Sequence, residues 1–308
     1  MSSENVKKKT SFKIWMQAVR AFSFPASMIP CVLGIMLALL ISPDASKWYL
    51  IPFIMISLIL MHASSNMVSD YDDYLNGVDL KESFGGSKVL TNDLLTPKQV
   101  FKGAITLYLI AVVFGLPIIF ERGYIILLFG LFGILSGFFY TRRPIGFKYI
   151  ALGDILFFFI YGPAIVSGTF YALTGEFNAH VLYASAPVGM LVVGILHANN
   201  MRDIIHDSNA KIKTMSNVFG ISFAKGEYLF LIIGAYIVVL VLIVFRVLSP
   251  WSLLVFLSLP PAIKNMTSIR GVQVEDTSKI AMLDVQTAQL TLMFGLLLSA
   301  SVLLTKFL

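Results

Sequence analysis

Two groups of polar side chains stand out by type and spacing. One apolar run is followed by Asn66, Asp70, Asp72 and Asp73, and a later one by Asn199, Asn200, Arg202, Asp203 and Asp207. Both groups contain Asn-x3-Asp with a further Asp three or four residues on. Residues three and four apart share one face of a helix. Asn66, Asp70 and Asp73 therefore form one stack, and Asn199, Asp203 and Asp207 a looser second one, with Asp72 directed elsewhere. Carboxylates at this spacing repel one another and are costly near hydrocarbon, so a cation must compensate them. Hard oxygen ligands suit Mg²⁺, which is commonly held by one or two carboxylates plus substrate phosphate. The expectation is a pair of facing clusters that clamp a diphosphate, with Asp70, Asp73, Asp203 and Asp207 on Mg²⁺ and Asn66, Asn199 and Asn200 beside the substrate. The duplication argues against simply solvated helix ends, whereas Asp79, Glu82 and Asp93 read as surface or supporting charges.

A diphosphate also needs cations from the protein, because metal alone leaves its outer oxygens underpaired. Arg202 lies inside the second cluster, and Lys211 and Lys213 follow it. Lys88 and the basic turn with Arg142, Arg143 and Lys148 come after other runs that end on the same side. These cations also serve orientation, since Lys and Arg on the cytoplasmic side fix topology whether or not they meet substrate. Other chemistries have little support. The single cysteine, Cys31, excludes a disulfide framework within the chain, and the four histidines never approach the close pair spacing of a zinc site.

The elements that must carry these clusters follow from composition. Of 308 residues, 57% are hydrophobic and 13% charged, against about 25% charged in soluble domains. The excess is concentrated in nine apolar runs at 22–41, 49–67, 101–120, 123–140, 151–173, 180–198, 227–247, 250–263 and 286–305. A bilayer-spanning helix needs roughly 20 such residues. This predicts an all-α integral membrane protein of about nine spans, the eighth short and carrying Pro260 and Pro261, in a single domain over 1–308. The first run, preceded by Lys7, Lys8, Lys9 and Lys13, reads as an uncleaved helix.

Nine spans alternate sides. With a cytoplasmic N-terminus, only Lys47, Arg122, Arg246 and Lys306 of the 23 Lys and Arg fall outside, which obeys the positive-inside rule. The N-terminus and the loops 68–100, 202–226 and 264–285 are then cytoplasmic, and the net charge of +6 reflects orientation in a cell membrane, with no nucleic-acid partner. The echo between the two clusters predicts a pseudo-symmetric bundle.

The same residues carry a resemblance. The chain resembles the UbiA superfamily of intramembrane prenyltransferases, most closely the branch acting on 1,4-dihydroxy-2-naphthoate in menaquinone synthesis. The resemblance runs from Phe24, Pro25, Ala26 and Ser27 through both acidic motifs, Asn76-Gly77-Val78-Asp79, Gly85-Gly86-Ser87, Tyr140-Thr141-x-x-Pro144 with Lys148-Tyr149, and Leu152-Gly153-Asp154, to Thr287-Ala288-Gln289-Leu290. Two places depart from that branch. The stretch between Asp207 and Thr214 reads Lys211-Ile212-Lys213 where Gly-Lys-Arg is frequent, and Asp154 stands where Glu is usual.

The resemblance implies a nine-helix bundle around a central cavity, a diphosphate at the cytoplasmic mouth, and a prenyl tail in an apolar channel open to lipid. It implies Mg²⁺ as cofactor, with polyprenyl diphosphate, an aromatic acceptor and membrane lipid as partners. Lys148, Arg202 and Lys211 would neutralise the leaving group, and Tyr140 would shield the allylic cation. Two alternatives stay open: a sister enzyme acting on a hydroxybenzoate, a homogentisate or a prenylated glycerol phosphate, and an ion-coupled carrier. Carrier sites lie near the bilayer midplane, whereas these acids sit at span ends.

Overall fold

A computed structural model describes residues 11–81 and 85–307; the expectations for Lys7, Lys8, Lys9 and Glu82 lie outside these. Each of the nine apolar runs becomes helical: α1 (Pro25–Ile41), α2 (Ile51–Leu75), α3 (Pro97–Arg122), α4 (Tyr124–Phe138), α5 (Gly153–Thr174), α6 (Ala186–Arg202), α7 (Met215–Val244), α8 (Leu259–Ser268) and α9 (Leu283–Phe307). Among the described residues, seven helical segments are long and apolar enough to cross a membrane. The other two are short: α4 has 15 residues, and the proline-bearing eighth run splits into a 3-10 segment, Pro250–Ser258, and α8. Outward faces remain apolar, with Leu109, Val113 and Leu116 on α3 and Phe230, Ile237 and Val244 on α7 exposed. In water this would be a liability, but against lipid tails it carries no penalty.

The helices do not stop where hydropathy falls. The apolar run ending at 67 continues as α2 to Leu75, so the first acidic motif lies inside the helix rather than beyond it. There Asp70, Asp72 and Asp73 are each paired with a cation, which offsets the repulsion between neighbouring acids. Hydropathy marks the apolar length, not the helix.

Two corresponding hairpins carry the clusters. α2 packs along α3, and α6 along α7. Both second members open with a threonine capping box, Thr96 with Gln99 on α3 and Thr214 with Asn217 on α7, which satisfies otherwise orphaned N-terminal amides. α1 packs against α5 and α9, and α9 also against α6. At the end away from the acids, side chains close the helix ends: Lys47 pairs with Glu121, Arg122 Nε donates to the Ala172 carbonyl at 3.0 Å, and Lys306 Nζ to that of Leu39 at 2.6 Å. Lys and Arg at such ends hydrogen-bond carbonyls that the helix leaves unpaired.

Candidate active site

At the acidic end of the bundle lies a polar cavity of about 220 Å³. It gathers most of the side chains singled out by spacing: Asn66, Asp73, Tyr140, Lys148, Asn199, Arg202, Asp203 and Asp207. Each carboxylate of α2 already faces a positive group. Arg20 pairs with Asp70, whose second oxygen accepts the Ser87 N–H at 3.0 Å. Lys148 Nζ donates to Asp73 at 2.7 Å and the Tyr149 hydroxyl to its other oxygen at 2.7 Å. Asp72 points away from the cavity to Arg142, at 2.7 and 3.2 Å. That guanidinium lies over the rings of Tyr71, Phe101 and Phe138, so Arg142 latches α2 to the basic turn.

The second cluster is built around one cation. Arg202 donates from Nε to Asp203 Oδ1 at 3.0 Å and from Nη2 to Oδ2 at 2.8 Å, a bidentate pair. It also donates to Asn199 Oδ1, and from Nη1 to Asp284 Oδ2 at 2.6 Å. The loop after the first cluster crosses here at two glycines. A Cβ on Gly85 would lie 3.4 Å from Asp203 Oδ2, and one on Gly86 would collide with Asp79 Oδ2. Gly86 also has φ +77, so a bare backbone at this pair lets the loop close over the acids.

Burial tunes the charges. It pushes the Asp207 carboxyl up to about 7, with Lys148 opposing and Asp203 and Asp73 adding to the rise. Asp79 rises to about 6, chiefly by burial and then by Asp73. Burial opposes the charge on Lys148, but the adjacent Asp73 and Asp207 outweigh it and hold the ammonium above its ordinary value. A carboxyl that takes a proton this readily when buried among other acids is one that a cation would stabilise strongly.

Three expected residues do not line the cavity. Asp70 sits behind it, 3% exposed, anchoring Arg20 and Ser87. Asn200 follows Asn199, and one residue rotates a side chain by about 100° around a helix. It therefore turns to the far side of α6 and donates to Asp154 at 3.1 Å. Lys211 is exposed, in a left-handed conformation (φ 58) at the turn that ends the helix Ile204–Asn209. In the opposite direction, the cavity recruits Arg20, Asp79 and Asp284. Asp284 stands in the first turn of α9, and its position at the end of the inner loop 264–285 was the one available signal. Arg20 belongs to no motif. Its backbone is left-handed (φ 52), a strained conformation for a non-glycine residue, and its ion pair with Asp70 spans 50 positions of sequence.

The polar cavity adjoins an apolar one of about 320 Å³ among α2, α3, α4 and α5. His62, Ser65, Tyr140, Phe157 and Tyr161 line both. Ring centroids of Tyr140 and Phe157 lie 5.0 Å apart, as do those of Phe157 and Tyr161, and His62 meets Tyr161 edge-on at 5.7 Å. A π turn, Ile160–Ala164, interrupts α5 where Tyr161 joins this belt. Burial holds the Tyr140 hydroxyl protonated far above its ordinary range.

The donor set fits a hard divalent cation: carboxylate oxygens of Asp73, Asp79, Asp203 and Asp207 around one cavity whose lining holds no thiolate. Comparisons with known proteins bear on the fold and the family. The chain is 30% identical over 305 residues to the 1,4-dihydroxy-2-naphthoate octaprenyltransferase of Bacillus subtilis (strain 168), covering 97% of this chain and 95% of that one. It is 29% identical over 290 residues to the human UbiA prenyltransferase domain-containing protein 1, covering 92% and 81%. Among solved structures it superposes on a UbiA homologue from Archaeoglobus fulgidus bound to GPP and Mg²⁺ with a TM-score of 0.64, at 15% identity and over 93% and 99% of the two chains. The UbiA prenyltransferase family matches residues 27–283, and the chain belongs to that family.

Proposed function

We propose that this integral membrane protein transfers a polyprenyl group from polyprenyl diphosphate to 1,4-dihydroxy-2-naphthoate, at the cytoplasmic face of the cell membrane and with Mg²⁺. The observation that carries the reading is the junction of the two cavities at the aromatic belt of Tyr140, Phe157 and Tyr161. A polyprenyl diphosphate has one charged end and one hydrocarbon tail, and the cavities offer a matching compartment to each. The bond to be broken then falls at the belt. The likeness to the Bacillus subtilis enzyme over nearly the whole of both chains supports the naphthoate acceptor.

Asp73, Asp79, Asp203 and Asp207 would hold Mg²⁺, which supplies positive charge to the departing diphosphate. Arg20, Lys148 and Arg202 line the same cavity and exchange their carboxylate partners for diphosphate oxygens when substrate enters. Cations already in place cost no reorganisation as negative charge develops. The C–O bond breaks with its electron pair on the diphosphate, and the π faces of the belt shield the allylic cation. The apolar cavity keeps water from that cation. The acceptor ring supplies the electron pair of the new C–C bond, and its carboxyl group departs as CO₂.

A gene deletion tests the reading in the host. Menaquinone should disappear from its membranes and return with the wild-type gene but not with Asp203→Asn. Loss of a different prenylated quinone or lipid would move the protein to another acceptor.

A further inference from the structure

On the side of α6 turned away from the acidic cavity lies a second polar cluster, Asp154, His197, Asn200 and Glu227, none of which lines that cavity. His197 is fully buried and Asp154 is 5% exposed. His197 Nε2 lies 2.8 Å from the carbonyl of Ala224. A carbonyl only accepts, so Nε2 carries a proton. Nδ1 lies 2.8 Å from Asp154 Oδ2 and 3.5 Å from Glu227 Oε2. An ionised carboxylate also only accepts, so this nitrogen donates a second proton to Asp154, while Glu227 Oε2 is buried beside it without a hydrogen-bond partner. The ring is thus a cation held between two acids, and Asn200 Nδ2 donates to the remaining oxygen of Asp154 at 3.1 Å.

The cluster joins three helices. Asp154 stands in the first turn of α5, His197 and Asn200 on α6, and Ala224 and Glu227 on α7. His197 and Asn200 are three apart and share one face of α6. Leu196, Asn199 and Arg202, at the same spacing on another face, line the acidic cavity. Holding the first face therefore sets the rotation of the second. A buried ion pair is a poor source of stability, because desolvation offsets the attraction, and its attested benefit is a unique arrangement. Here the arrangement selected is the one that turns Asn199, Arg202 and Asp203 inward.

We propose that Asp154, His197 and Asn200 are positioning residues for prenyl transfer, clamping α6 in the rotation that presents Asn199, Arg202 and Asp203 to a Mg²⁺-bound diphosphate. This rests on the function proposed above. Asp154→Asn, His197→Gln and Asn200→Ala proteins, purified in detergent, are compared with wild type in two assays. One is calorimetric binding of inorganic diphosphate with Mg²⁺; the other is steady-state transfer with each substrate and Mg²⁺ varied. Each substitution should weaken Mg²⁺-diphosphate binding and raise KM for the prenyl donor by about tenfold, the scale on which supporting groups act on a metal site. KM for the acceptor should stay within about twofold, and Asp154→Glu, which keeps the charge and both bonds, should recover most of the loss. Unchanged diphosphate binding and unchanged KM values in variants that only melt earlier would overturn the proposal. So would a transition metal found in stoichiometric amount in wild type and missing from His197→Gln. Wild-type protein that binds Mg²⁺-diphosphate but transfers to no acceptor would fail the functional reading instead, while the binding assay still decides the positioning role.

Discussion

Arg202 Nη1 lies 2.6 Å from Asp284 Oδ2, which ties the end of α6 to the first turn of α9 across the cavity. The same guanidinium holds both oxygens of Asp203. If Asp203 turns to a metal, Asp284 is the acid that keeps Arg202 in the cavity. Asp284→Ala should therefore raise KM for the prenyl donor by about tenfold to a hundredfold with a smaller change in kcat, since one charge-assisted bond contributes about 1.5–3 kcal/mol. Arg202→Lys, which loses the planar fork, should cost more than Asp284→Ala. Steady-state kinetics of both variants checks the order.

The acids of α2 should separate by role. Asp73 lines the cavity, and Asp73→Asn should lower kcat at least about a hundredfold with little change in melting temperature, as should Asp203→Asn. Asp72 instead holds Arg142 over three rings, so Asp72→Asn should lower the melting temperature first and leave Mg²⁺ dependence near normal. Melting curves and Mg²⁺ titrations of the three variants distinguish the two roles.

Asp207 predicts a pH dependence with a definite sign. Its carboxyl is raised to about 7 in the folded protein by burial, so without metal the folded state holds a proton that the unfolded state releases at lower pH. Stability of the metal-free protein should fall as pH rises from about 4 to above 7. Mg²⁺ requires the ionised carboxylate, so the Mg²⁺ concentration giving half-maximal activity should drop as pH rises through about 7. Asp79, at about 6, adds to the lower part of that window. Mg²⁺ titrations between pH 5.5 and 8.5 test this, and a flat profile would contradict it.

Topology is checked with single cysteines. Cys31 is fully buried and should stay silent to an impermeant maleimide. Lys211→Cys should be labelled only from the cytoplasmic side, and Ala45→Cys only from outside, as the charge asymmetry requires.

Among the described residues the apolar runs located α1 to α9, seven of whose segments are long enough to span where about nine spans were expected, and the Asn-x3-Asp spacing marked the helix ends that meet in one cavity, because both signals are local in sequence. Partners distant in sequence were not legible. Arg20 was visible only as a topology charge, and Asp284 only as a position in the inner loop 264–285, because their pairing with Asp70 and Arg202 exists only once the bundle closes. Adjacent Asn199 and Asn200 read alike in sequence, yet the rotation of a single residue sends one to the cavity and the other to Asp154. Lys211 has the right charge and neighbourhood but occupies a turn whose backbone leaves it exposed.

The central claim is tested most directly with purified protein in detergent, given polyprenyl diphosphate, 1,4-dihydroxy-2-naphthoate and Mg²⁺, with no ion gradient present. The account predicts a prenylated naphthoquinol with release of diphosphate and CO₂, a reaction stopped by chelation, restored by Mg²⁺, and absent with Asp203→Asn. No product with this or any other aromatic acceptor, alongside gradient-driven uptake of a solute by the same protein in vesicles, would contradict it.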